Sequence, residues 1–206
     1  MSSQRASVSL IDYGVGNLGS VRNMFKRIGV QTEDLTSPEQ LASASRVLLP
    51  GVGAFDHGMG ALRDNGWVAP IREHVSTGKP LLGICLGMQL LLDSSEEGEL
   101  PGFGFVPGKV VKFTAAPGLR VPHMGWNLAV PTRQNALLQG LEEDSRFYFV
   151  HSYFASPDNE ANTLTVTSYG QPFASSVIAG NVYGTQFHPE KSHRYGMQLL
   201  KNFSEI

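Results

Sequence analysis

Two short stretches of this chain are apolar without alternation, and each runs directly into glycine. Val47-Leu48-Leu49 leads into Pro50-Gly51-Val52-Gly53, and Leu81-Leu82 leads into Gly83-Ile84-Cys85-Leu86-Gly87. A strand with one wet face alternates apolar and polar residues, whereas a strand covered on both faces does not. These runs therefore predict buried parallel strands with helices on either side.

The surrounding pattern agrees. Val8 to Ile11 reads as a first strand. Leu18, Val21, Met24, Phe25 and Ile28 recur at helical spacing, with Asn17 as N-cap and Gly29 as stop. Val30 to Leu35 and Arg46 to Leu49 read as strands, Gly66 to Thr77 as a helix closed by Gly78, and Leu81 to Ile84 as a fourth strand. A helix from Leu86 to about Asp93 follows. The second half has few helices: Lys109 to Phe113, Arg146 to Tyr153, Thr163 to Tyr169 and Val177 to Phe187 read as strands, and a last helix runs from about Arg194 to Phe203. The expected class is α/β: a central, mostly parallel sheet flanked by helices, with an additional antiparallel section in the second half. No repeat, linker or low-complexity stretch divides the 206 residues, so one domain over 1–206 is expected.

The net charge of −2 and the absence of a basic block give no electrostatic footprint for nucleic acid. One cysteine makes no internal disulfide and no zinc set, so no metal is expected. Met1 to Ser7 is polar and precedes only a short apolar stretch, unlike a signal peptide. Leu81 to Leu92 is too short to span a membrane and contains Gln89. A cytoplasmic protein without membrane association is expected.

Gly83 to Gly87 places the only cysteine between a buried strand and a helix. That is the geometry of a nucleophile elbow, with Cys85 where hydrolases carry serine. A thiol there would feel the positive end of the helix. The plainer reading is a small buried apolar residue. The second feature is Gly184 to Glu190, "GTQFHPE". Pro189 favours an extended His188, and in an extended segment Glu190 would share its side and could fix the imidazole tautomer. Here the plainer reading is a surface or capping histidine beside a glutamate that opens the last helix. Third, Pro50 to Gly53 could turn backbone N–H groups toward an anion. Finally, Gly14-Val15-Gly16-Asn17-Leu18-Gly19 matches G-x-G-x-x-G after a strand, with Glu33 and Asp34 near the end of the next strand. That reads either as a dinucleotide turn or as a glycine-rich turn serving packing or another ligand.

A Cys at G-x-C-x-G, a downstream His-Pro-Glu and an upstream glycine-rich strand end occur here in the order found in the class I (triad) glutamine amidotransferases, which this chain resembles. The likeness covers nearly the whole chain. "IDYGVGNLGSV" (Ile11 to Val21) and "PHMGWN" (Pro122 to Asn127) resemble those members that feed a (β/α)8-barrel cyclase subunit in histidine biosynthesis, which forms imidazole glycerol phosphate and an aminoimidazole carboxamide ribotide. They argue against a glutaminase serving pyridoxal phosphate synthase, and they account for the G-x-G-x-x-G without a dinucleotide. The resemblance implies glutamine as substrate, no cofactor, and a heterodimer with the cyclase.

It also implies roles. Cys85, His188 and Glu190 are the triad, and the N–H groups of Val52 and Leu86 hold the oxyanion. Gly53, Gln89, Glu97, Ser152 and Tyr153 match positions around the amino-acid end of glutamine. For Gln89 a helix-surface glutamine, for Glu97 a solvated acidic run (Glu96 to Glu99), and for Tyr153 a core residue are the plainer readings. Pro122, His123, Met124, Gly125, Trp126 and Asn127 form a loop on the face toward the partner; the plainer reading of Met124 and Trp126 is core residues under a loop. The glycines around Val52 would let that peptide adopt two orientations, so that the partner gates activity. The polar extension before the first strand and the region Gly98 to Leu119 carry no motif of the family.

Overall fold

The computed structural model describes residues 7–114 and 118–206. The polar N-terminal extension lies, through residue 6, outside the described residues. In chain order the elements are β1 (Ser7–Ile11), α1 (Leu18–Arg27), β2 (Gln31–Leu35), β3 (Val47–Leu49), α2 (Phe55–Asp64), α3 (Val68–Ser76), β4 (Leu81–Ile84), α4 (Leu86–Gln89), β5 (Ser94–Ser95), β6 (Gly108–Lys112), β7 (His123–Leu128), β8 (Val130–Pro131), β9 (Arg146–His151), β10 (Tyr153–Pro157), β11 (Thr163–Tyr169), β12 (Gln171–Ala179), β13 (Val182–Thr185) and α5 (His193–Glu205).

The main sheet runs β2-β1-β3-β4-β13-β12-β10-β6-β5, with β11 and β8 paired beyond β12. From β2 to β13 every pairing is parallel. From β13 through β12 and β10 to β6 the pairings are antiparallel, which is the added section. The absence of alternation in β3 and β4 now has its cause. Val47, Leu49 and Leu81 point into one core with Phe55, Met59, Leu62, Trp67 and Ile71 of the α2–α3 side. Leu48, Leu82 and Ile84 point into the opposite core with Val21 and Phe25 of α1 and Leu199 and Phe203 of α5. Both faces are dry, so both sets of positions must be apolar.

Several expected boundaries are corrected. Helix α2 lies ahead of the expected Gly66 start; Gly66, at φ +75°, follows α2, and α3 begins at Val68. The buried Phe55, Met59 and Leu62 carry its helical spacing. The helix after Cys85 is a single turn rather than reaching Asp93. The Leu91 and Leu92 N–H groups bond three residues back, to Met88 O and Gln89 O at 3.1 Å, and the Asp93 N–H leaves the helix for Gly108 O at 3.0 Å. The carbonyls of Leu90, Leu91 and Leu92 then receive the N–H groups of Phe103, Phe105 and Gly104 at 2.8–3.1 Å. Arg146 to Tyr153 is two strands, not one. It breaks at Ser152, so that β9 pairs with β7 in a separate two-stranded sheet while β10 joins the main sheet. Val177 to Phe187 folds back at Gly180-Asn181 into β12 and β13. The segment Pro122 to Asn127, expected as a loop, supplies β7, in register with β9 from His123↔His151 to Leu128↔Arg146. Pro122 and Gly125 resemble turn punctuation, but cross-strand pairs such as Trp126↔Tyr148 override it.

Candidate active site

β4 delivers Cys85 to a corner with φ +55° and ψ −111°, a conformation side chains rarely adopt. The flanking glycines permit the corner. A Cβ on Gly83 would stand 2.5 Å from the Gly87 carbonyl oxygen, and one on Gly87 would overlap the carbonyl oxygen of Leu49. The Cys85 N–H donates to Thr185 O at 2.8 Å, so the corner is tied to the end of β13. Because α4 is one turn long, its dipole is small, and side chains set the thiol's surroundings.

His188 follows β13 and is held by its N–H on Tyr148 O at 2.9 Å. Its Nδ1 meets Glu190 Oε1 at 2.7 Å, with both side chains buried. The expected contact is present, but its route differs: Pro189–Lys191 is a 3-10 turn, and the turn rather than an extended segment brings the carboxylate round. Ser192 Oγ donates to His188 O at 2.6 Å and accepts from Tyr148 N at 3.0 Å, which fixes this turn on β9. A carboxylate accepts only, so Nδ1 carries the proton and Nε2 is the reactive nitrogen. Burial pulls the imidazole pKa down, but the neighbouring Cys85 sulfur and the hydrogen-bonded Glu190 carboxylate, which favour the charged ring, overcome this and lift it to about 10. Among the described residues, Nε2 is buried with no hydrogen-bond partner, which leaves it free to face the thiol.

The Pro50 to Gly53 turn abuts this corner. Tyr13 Oη donates to Pro50 O at 2.8 Å, and a Cβ on Gly16 would meet Pro50 Cβ at 3.2 Å. Pro50 therefore fills the space beside the middle glycine of the G-x-G-x-x-G, and Asn17 accepts from Ser20 N as the expected N-cap. The Leu86 N–H donates to Gly51 O at 3.3 Å. Carbonyl and N–H point opposite ways across a trans peptide, so the Val52 N–H faces away from the corner.

A cavity of about 460 Å³ brings Cys85, His188, Val52, Leu86, Gly53, Gln89, Glu97, Ser152 and Tyr153 together. Glu190 stands behind His188. Gln89 is buried rather than on the helix surface; its Nε2 donates to Tyr153 O at 3.1 Å and to Gln186 Oε1 at 3.0 Å. Glu97 Oε2 accepts from Phe55 N at 2.9 Å, capping α2, whose own N-cap residue is Ala54. Ser152 sits at the β9–β10 break, where its carbonyl accepts from Phe113 N at 3.1 Å. The sequence reading did not single out His151, which lines the cavity, or the fully buried Gln186. Their only signal was adjacency to "SY" and to "FHPE".

The six residues expected at a partner face divide. Met124 and Trp126, on one face of β7, are 62% and 46% exposed, which removes the core reading for both. Trp126 stacks on His193 at 5.3 Å. Pro122 lines the catalytic cavity. His123 is interior, stacked between Tyr169 at 4.0 Å and Phe149 at 4.7 Å and bonded through Nδ1 to His151 Nε2 at 2.9 Å. Asn127 Nδ2 reaches His123 Nε2 at 3.3 Å and Ser168 O at 3.0 Å, and Gly125 has φ +132°. No helix among the described residues is long and apolar enough to cross a membrane.

Residues 9–206 match the family model for glutamine amidotransferase class-I. The chain is 48% identical over 203 residues to the imidazole glycerol phosphate synthase subunit HisH of Bdellovibrio bacteriovorus, covering 97% of this chain and 100% of that protein. It is also 48% identical over 200 residues to subunit HisH 2 of Pseudomonas aeruginosa, covering 97% and 99%. Among solved structures, PurLQS from Thermotoga maritima superposes with a TM-score of 0.78 at 17% identity, over 98% of this chain and 99% of that one, a likeness of fold. The chain belongs to the class-I glutamine amidotransferases and, within them, to the family of imidazole glycerol phosphate synthase HisH subunits.

Proposed function

We propose that the chain hydrolyses glutamine to glutamate and ammonia through Cys85, His188 and Glu190, and passes the ammonia to a (β/α)8-barrel cyclase subunit that makes imidazole glycerol phosphate in the cytoplasm. The observation that carries this reading is the positive-φ corner at Cys85 opposite an imidazole held by Glu190 at 2.7 Å.

In this reading the Cys85 sulfur attacks the carboxamide carbon of glutamine. The imidazolium of His188 gives its Nε2 proton to the departing nitrogen, and ammonia leaves a γ-glutamyl thioester. His188 then takes a proton from water, whose oxygen attacks the thioester, and glutamate departs as the thiolate re-forms. Glu190 keeps Nδ1 protonated and stabilises the imidazolium throughout. Gln89, Glu97, Gly53, Ser152 and Tyr153 surround the amino-acid end of the substrate. The N–H groups of Val52 and Leu86 serve the tetrahedral oxyanion once the Gly51–Val52 peptide turns over. Ammonium is not nucleophilic, so a sealed route to the partner preserves the reactive species. The exposed Met124 and Trp126 support placing the partner on β7.

The test compares nitrogen sources in the assembled synthase. Cys85→Ala should abolish synthesis from glutamine and leave synthesis from ammonium salts intact. Retained use of glutamine would defeat the assignment.

A further inference from the structure

Gln186 precedes His188 by two residues and is fully buried. Its N–H donates to Ser175 O at 2.9 Å. β13 lies parallel to β4, with Gly184 beside Gly83 and Thr185 beside Ile84, so the next residues, Gln186 and Cys85, emerge side by side. The Gln186 carboxamide then turns to the thiol, with Nε2 3.8 Å from Sγ. Its direction is imposed. Gln89 Nε2 donates to Gln186 Oε1 at 3.0 Å, so the oxygen end is claimed and the NH2 end faces sulfur. Gln89 is fixed in turn by its second N–H bond, to Tyr153 O at 3.1 Å.

We infer that Gln186 is a further catalytic residue of this reaction: a neutral N–H donor that positions the Cys85 sulfur and stabilises it as thiolate, with Gln89 setting the amide direction. The inference rests on Cys85 being the nucleophile. A hydrogen bond to the charged form of a group favours that form, and a fixed dipole acts strongly where water is absent. Sulfur carries negative charge twice in the cycle, before attack and when the thioester collapses. His188 is an imidazolium at both moments, but it gives up its proton and regains it in between. Gln186 is neutral and unchanged throughout, so its donor faces the sulfur at every stage, including those in which His188 is unprotonated.

Cys85 is the sole cysteine, so alkylation by iodoacetamide reports on it alone. The rate is measured against pH for the full chain and for Gln186→Met and Gln186→Glu. The Met variant should raise the midpoint by about one pH unit, which makes alkylation about tenfold slower below both midpoints. The Glu variant should raise it further, because a carboxylate repels the thiolate. With the partner present, kcat for glutamine should fall about tenfold with little change in KM, as expected when one hydrogen bond to a charged group is lost. A Met profile superimposed on the wild type in a folded protein, or a Glu midpoint no higher than the Met one, overturns the inference. Should a variant not fold, the Gln186 side-chain amide of the wild type is followed by NMR across the thiol titration. A shift with the alkylation midpoint supports the donor role, and a flat response overturns it. The Cys85→Ala comparison above tests the nucleophile reading independently.

Discussion

The Leu86 N–H donates to Gly51 O at 3.3 Å, so one expected oxyanion donor is occupied while the other, Val52 N–H, is turned outward. Rotation of a single peptide would release the first and supply the second. Tyr13 holds Pro50 O at 2.8 Å, just before the peptide that must turn, and Gly53, at φ +102°, follows it. The movement is therefore confined to Gly51 and Val52. Losing even one oxyanion donor costs roughly 10²–10³ in rate, and the resting turn offers neither, so that factor is a lower bound. The isolated chain should be nearly idle, and glutamate release should rise by about two orders of magnitude or more when partner and nucleotide ligand are both added. Glutaminase assays on the chain alone, with partner, and with partner plus ligand analogue check this; full activity in the isolated chain rules the gate out.

His188→Ala should cost more than Glu190→Gln. The first removes the proton carrier, while the second removes only the group that orients and charges it. Losses on the order of 10⁴ or more for His188, and less for Glu190, are expected in kcat/KM, and the double variant should be far from additive because the pair acts as a unit. Independent and equal losses would count against a triad.

The buried histidines give the fold a defined pH dependence. Tyr153 O accepts from His151 Nδ1 at 2.8 Å, so His151 Nε2 must accept, His123 Nδ1 must donate, and Asn127 donates to His123 Nε2. All four ring nitrogens of His123 and His151 are used with both rings neutral. Burial lowers the pKa of His151 from 6.5 to about 3 and that of His123 to about 4. The unfolded chain therefore binds protons that the native chain refuses. Stability contributed by this pair is full above pH 6.5 and is lost as pH falls through 4 and on toward 3, at about 1.4 kcal/mol per pH unit for each ring. His188 acts in the opposite sense: its value of about 10 lies above the ordinary 6.5, so its contribution is full below 6.5 and is lost as pH rises through 10. Imidazole NMR titration is the check. Midpoints near 6.5 for His123 or His151 would remove the argument.

Met124 and Trp126 project from one face of β7, 62% and 46% exposed. Interface aromatics and methionine anchors carry a disproportionate share of binding energy. Met124→Asp with Trp126→Ala should weaken assembly with the cyclase by about 2 kcal/mol or more while leaving the melting temperature of the isolated chain within a few degrees. Titration calorimetry and thermal melts separate the two quantities, and unchanged affinity would move the partner elsewhere.

The parallel half of the fold was legible because each of its devices is local. Val47-Leu48-Leu49 and Leu81-Leu82 announce two dry faces, and Asn17 and Gly29 bracket α1 as their chemistry demands. Cys85, His188 and Glu190 were legible for the same reason, since a turn flanked by glycines and a His-Pro-Glu each carry their geometry in a few residues. What escaped depends on distant partners. α4 ends early because the Asp93 N–H bonds Gly108 O instead of the turn before it and residues 103–106 pair with Leu90 to Leu92, and β7 is a strand because β9 pairs with it. Gln186 faces the thiol only because β13 lies against β4.

Glu97 remained ambiguous between substrate ligand and solvated charge, and its geometry adds a third role as the cap of α2. One substitution separates these. Glu97→Gln keeps a carbonyl oxygen that can accept from Phe55 N, so the cap and the fold should survive with a melting temperature near the wild type. It removes the negative charge that would pair with the substrate's ammonium group. A charge-assisted contact in a partly buried pocket is worth about 1.5–3 kcal/mol, so KM for glutamine should rise roughly 10- to 100-fold with kcat changed far less. Glu97→Ala should show the same KM defect plus a loss of stability of about 1 kcal/mol from the missing cap. An unchanged KM in Glu97→Gln would reduce Glu97 to the cap alone. A fall in kcat instead would place its effect on the oxyanion turn, which lies directly ahead of Phe55.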